Sequence, residues 1–165
     1  MRALLGLLVG LMVSAGSGAA AENLVREVRH ELLLLPGYTV FDWLAYRVDG
    51  ANVTLLGAVV RPELKRNAES AVKKLEGVGS VRNDIAVLPQ SPGDDRIRHE
   101  LLLSINQQMA AYLSEQVRRI HILVRDGNVT LEGEVESQAD KDRVTELAKH
   151  VQFVKGVTNN LVIQK

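Results

Sequence analysis

The chain contains no cysteine, so no disulfide supports its fold and no lipidated cysteine anchors it to a membrane. An excess of one charge is missing too. Its 20 lysines and arginines balance 20 aspartates and glutamates, which leaves no general attraction to nucleic acid. The apolar stretch from Leu4 to Val13 holds only about ten residues, against the ~20 that a helix needs to span a bilayer. Chemical signatures are scarce as well. There is no G-x-S-x-G, no phosphate loop and no nucleophile–base pairing. None of the four histidines has a second His four residues away, as a zinc-binding helix would need. His30 and His99 read as helix-surface residues, His121 as lying on an exposed strand face, and His150 as lying near a helix end, where a cation would suit the dipole. Catalysis, a bound metal and a cofactor are therefore not expected.

What is present starts at the N-terminus. Met1 and Arg2 form a short positive region, Leu4 to Val13 an apolar one, and Ser14 to Ala21 a small-residue stretch ending in Ala19-Ala20-Ala21. This is the layout of a secretory signal peptide over residues 1–21, cleaved before Glu22. It predicts a periplasmic protein of about 144 residues with a net charge of about −1.

Beyond the leader the chain repeats itself. Asp49-Gly50-Ala51-Asn52-Val53-Thr54-Leu55 returns as Asp126-Gly127-Asn128-Val129-Thr130-Leu131. In each copy a turn signal precedes a strand, and in the second Val129, Leu131, Gly133 and Val135 alternate with Thr130, Glu132, Glu134 and Glu136, the pattern of a hairpin whose second strand buries one face. Ala51 reads as an extra residue in the first turn. From Asn52 onward the copies match at an offset of 76, and the helical phrase Val28-Arg29-His30-Glu31-Leu32 matches Ile97-Arg98-His99-Glu100-Leu101 at an offset of 69. Each copy thus reads helix, strand, strand, helix, strand.

That order, with the closing phrases Gly77-Val78-Gly79-Ser80-Val81-Arg82-Asn83 and Phe153-Val154-Lys155-Gly156-Val157-Thr158-Asn159, resembles the BON domain of bacterial envelope and osmotic-stress proteins. The resemblance implies an α+β fold: two tandem αββαβ domains, each a small three-stranded sheet packed by two helices. The expected division is residues 22–88, a linker at 89–93 containing Pro89 and Pro92, and residues 94–165. Phe153 stands where the first copy has Gly77, so the second helix–strand junction is expected to be built differently.

Local signals fill in the elements. Asn23 is expected to cap the first helix, with Leu24, Val28, Leu32 and Leu35 on one face and the whole run Leu32 to Leu35 in the core. Strand one is expected from Phe41 to Val48. Pro62 suits the first turn of the next helix. Asp94 and Asp95 suit the start of the third by capping and charge. Ser137-Gln138-Ala139-Asp140 resembles a capping box. Gly57 and Gly133 read as close-packing positions within strands.

The outward faces of the two hairpins differ. The first carries Phe41, Trp43, Ala45, Leu56, Ala58 and Val60, the second Arg119, His121, Leu123, Thr130, Glu132 and Glu134. A dry outer face needs a cover, so Phe41, Trp43, Leu56 and Val60 are candidate partner-surface residues. The cover is either the other domain or a second copy, or else lipid or a client protein. The resemblance to dual-BON outer-membrane proteins implies a non-catalytic module that binds anionic phospholipid surfaces and supports the envelope under stress, peripheral to the outer membrane. Lipid contact there is associated with the first helix of the second domain, where this chain has Met109, Tyr112 and Leu113, followed by Arg118 and Arg119. The alternative is a periplasmic chaperone-like osmotic-stress protein that binds unfolded clients or other envelope proteins.

Overall fold

The computed structural model describes residues 11–13, 18–113 and 119–164. The signal-peptide reading falls mostly outside them. The described parts of residues 1–21 are the short strand β1 (Leu11–Val13) and the first turn of α1 (Ala19–Leu33). Asn23 therefore sits inside α1 rather than at its cap, where its amide donates to Glu27. Two compact units are formed. The first holds the described residues up to Tyr38 together with Trp43–Val87; the second holds Thr39–Asp42 and Leu88 onward.

The first unit continues with β2 (Trp43–Asp49), β3 (Asn52–Val59), α2 (Pro62–Val72), β4 (Ser80–Asn83) and β5 (Ala86–Val87). β3 is central. It pairs antiparallel with β2, from Trp43 opposite Ala58 to Asp49 opposite Asn52, and parallel with β4 and β5. The far edge of β2 takes β1 in parallel. Strand alternation sends Leu44, Tyr46, Val48, Val53 and Leu55 to one face, and α1 and α2 close over it with Leu24, Val28, Leu32, Leu64, Ala68 and Val72. Each large apolar side chain so buried contributes about 1.5–3 kcal/mol. The run Leu32 to Leu35 divides: Leu32 and Leu35 are buried, whereas Leu33 and Leu34 point outward. The helical period, which keeps every third or fourth residue on one side, overrides the apolar run.

The second unit repeats the plan with α3 (Pro92–Met109), a 3-10 turn (Ala110–Tyr112), β6 (Ile120–Arg125), β7 (Asn128–Val135), α4 (Gln138–His150), β8 (Gly156–Asn159) and β9 (Val162–Ile163). β7 is central between antiparallel β6 and parallel β8 and β9. The core is Ile97, Leu101 and Ile105 of α3 and Val144 and Ala148 of α4 over Ile120, Ile122, Val124, Val129 and Leu131. At the free edge of β6, the Ile122 N–H donates to the Val40 carbonyl at 2.7 Å. Phe41, expected to open strand one, instead packs on this second core with its ring 5.4 Å from that of His99. Asp42 closes the segment by accepting from the Thr39 N–H and hydroxyl.

Both hairpin loops have two residues, so Ala51 adds nothing to the first. Asp49 faces Asn52 across Gly50-Ala51, and Arg125 faces Asn128 across Asp126-Gly127. Asp126 and Gly127 both have positive φ, as a type I′ turn requires, whereas in the first loop only Gly50 does, as in type II′. Gly57 (φ +110) and Gly133 (φ +116) are the close-packing positions anticipated: a Cβ there would run into the carbonyl oxygen of Trp43 or of Arg119. Pro62 sits in the first turn of α2. Ser137 caps α4 by accepting from Asp140 N–H at 3.1 Å. At α3 the cap is Ser91, not an aspartate, which frees Asp94 for another task.

Candidate functional site

Of the five residues proposed for lipid contact, the structure places Met109 and Tyr112 in the second core, 7% and 8% exposed. Leu113 is half-buried against the same core. Arg118 lies outside the described residues. Arg119 is half-buried, with its guanidinium 3.0 Å from Glu136, while its backbone oxygen faces Glu134 N–H. Tyr112 does structural work at its hydroxyl, which donates to Asp140 at 3.0 Å and accepts from Glu136 N–H at 3.0 Å. Burial raises its pKa above 10.0, and the Asp140 carboxylate adds to that against the opposing Glu136 amide.

The apolar side chain that α3 presents to solvent is Leu103, 59% exposed. Leu34 holds the same position of the first repeat and is 63% exposed. Leu103 lines a groove of about 490 Å³ between α3 and α4, with Leu147 and Val151 as its apolar members and Glu100, Ser104, Gln107, Gln108 and His150 as its polar ones. A second cavity, of about 540 Å³, lies in the first unit among Ala20, Leu24, Glu27, Ala51 and Glu76.

Buried charge in the second unit serves the fold. Asp94, 3% exposed, accepts from the N–H groups of Asp126 and Gly127 at 2.9 and 2.8 Å, so α3 holds the hairpin turn directly. Arg98, 2% exposed, donates to the Val124 carbonyl at 2.6 Å and pairs with Asp95. The first repeat has Val25 and Arg29 at these positions, and sequence reading gave neither Asp94 nor Arg98 this role. Comparing the two copies at an offset of 69 marks Asp94 as a difference and Arg98 as a match, but only the fold shows what each does.

His121 and Glu134, read as exposed on a wet face, are both buried. Strand alternation assigns a residue to a face without saying whether that face is covered. Trp43 is 5% exposed, and Leu56 and Val60 are half-buried. Trp43 and Leu56 share one face of the first hairpin, whereas Phe41 belongs to the other unit. His99 and His150 each bond through Nδ1 to the carbonyl four residues earlier on their helices. Among the described residues, no group of three His, Asp or Glu side chains could hold a metal ion, and no helix is long and apolar enough to cross a membrane.

The fold defines a tandem α+β protein whose two copies share one topology and one set of packing glycines. Residues 46–89 and 99–165 each match the BON domain, and the chain belongs to the BON-domain family. It is 31% identical to the osmotically-inducible protein Y of Escherichia coli strain K12 over 121 residues, which span 72% of this chain and 60% of that protein. Two structures of CdsD, a structural protein of the type III secretion system of Chlamydia trachomatis, align over 86% and 87% of this chain. They cover 92% and 98% of those chains, at 14% and 16% identity and TM-scores of 0.34 and 0.36. Likeness at that level carries no argument.

Proposed function

We propose that this is a non-catalytic, exported envelope protein of the osmotic-stress response that binds anionic phospholipid surfaces. Membership of the BON family and the similarity to an osmotically inducible protein support the envelope and stress role. The observation that carries the lipid reading is the outer face of α3, where Leu103 stands 59% exposed beside a groove with apolar members. Burial of Met109 and Tyr112 moves the proposed contact from the end of that helix to its middle. Exposed apolar side chains on a helix favour the boundary between headgroups and acyl chains.

The test is flotation of the full chain with phosphatidylglycerol vesicles and with phosphatidylcholine vesicles. Binding should favour the anionic vesicles and weaken with salt, and Leu103→Glu should lower it about tenfold through lost apolar contact and added repulsion. Equal recovery with both lipids, or none with either, would count against the reading. The chaperone alternative placed its client surface around Trp43, and the burial of that side chain gives it less support.

A further inference from the structure

We infer that the loop tip bearing Phe153 is a bilayer contact, its ring entering the interface of an anionic phospholipid surface while neighbouring lysines meet the headgroup phosphates. This rests on the lipid-binding reading above and names a contact within it.

α4 ends at His150 and β8 begins at Gly156, and Phe153 lies in the connection at φ +70. This is the left-handed region, where a side chain crowds its own backbone and a bulky residue is an outlier. Gly77, the same position of the first repeat, has φ +85, with open space where a Cβ would sit. The junction thus has the same backbone in both copies, contrary to expectation, and in the second copy phenylalanine bears a conformation that suits glycine. Packing offers no compensation: Phe153 is 63% exposed, while its neighbours Val151 and Val154 face the core. A strained, solvated aromatic contributes little to folding. The same ring gains free energy at a membrane interface, where aromatic side chains collect.

The charges around the tip fit a phosphate-rich surface. Lys155 and Arg125 are exposed, and so is Lys149, which pairs with Glu146. The Lys155 stem lies against the hairpin turn at Gly127. Nearby acids are largely engaged: Asp94 with the turn amides, Asp95 with Arg98, and Glu146 with Lys149 at 2.8 Å. Asp126 is exposed beside Arg125. Among the described residues Lys155 and Arg125 make no ion pair. One protruding ring set among cations suits a bilayer better than a protein partner, whose interface needs roughly 1,000 Å² of complementary surface.

The experiment uses the full chain with phosphatidylglycerol vesicles. Phe153→Gly installs the residue of the first repeat, so it should raise the melting temperature while weakening vesicle binding about tenfold. Lys155→Glu should weaken binding without that gain in stability. Phe153→Trp should bind as the wild type does, with emission quenched by brominated lipid above the background of Trp43. Unchanged binding by Phe153→Gly overturns the tip and leaves the lipid reading standing, whereas no binding by the wild type overturns both. A fall in both stability and binding for Phe153→Gly also overturns the inference, because relief of strain cannot cause it.

Discussion

Glu132 shows what burial does to a single acid on a sheet face. It faces His121 in the ladder and accepts from the Asn160 amide at 2.7 Å. Burial lifts its pKa above the ordinary 4.5, and the Asn160 bond pulls the other way. In the window from 4.5 up to the raised value, the folded chain holds the proton that the unfolded chain has released. This group's contribution therefore makes stability fall as pH rises through the window and stay lower above it. Glu132→Gln keeps an acceptor for Asn160 and removes the ionisation. The variant should melt higher than the wild type near pH 7, and the difference should close at about pH 4 and below. The alternating pattern placed Glu132 on the outward face, which the ladder bears out. It could not give the burial, because alternation reports orientation alone.

At the scale of elements, the closing strands are tied to their helices by one repeated asparagine. Asn159 donates to the Lys141 carbonyl at 3.0 Å and the Thr145 hydroxyl at 2.7 Å, and accepts from Leu161 N–H at 2.9 Å. Asn83 does the same with Lys65, Glu69 and Ile85. Asn159→Ala removes three hydrogen bonds and orphans groups beside buried Leu161, so it should cost about 2–3 kcal/mol in urea denaturation. The repeat exposed both asparagines as matching positions, and the helix–strand–strand–helix–strand order was legible from hairpin signals and period alone. The partners were not legible, since each asparagine reaches back to a helix 14 to 18 residues earlier. The same limit hid Asp94, whose carboxylate meets amides 32 and 33 residues away. Met109 and Tyr112 illustrate the converse: apolar residues on one side of a helix serve a core and a membrane equally well in sequence, and the fold decides.

For the whole molecule, duplication set the plan and the two copies then diverged in local chemistry. The first hairpin turns on Gly50 with Ala51, the second on Asp126 with Gly127, yet both reach the same strand register. Equivalent backbone from unequal residues is what tandem copies permit, because a fold fixes dihedral angles and close approaches before it fixes side chains. Gly57 and Gly133 are unchanged between the copies because a carbonyl oxygen leaves no room for a Cβ. Gly77 and Phe153 could differ because the space outside that bend is open.

The segment Thr39–Asp42 has a consequence for modularity. It precedes the first hairpin in the chain but belongs to the compact unit that starts again at Leu88. The second repeat is therefore not a cassette that can be cut out at the proline-containing stretch and transplanted. A piece starting at Leu88 would leave the Ile122 N–H without the Val40 carbonyl and the second core without Phe41. Its bare strand edge is a template for pairing with another chain. Such a fragment should self-associate on size-exclusion chromatography as its concentration rises, and a peptide carrying residues 37–43 should return it to a monomer. A fragment that stays monomeric without the peptide would show that this piece of covalent order can be rearranged at no cost.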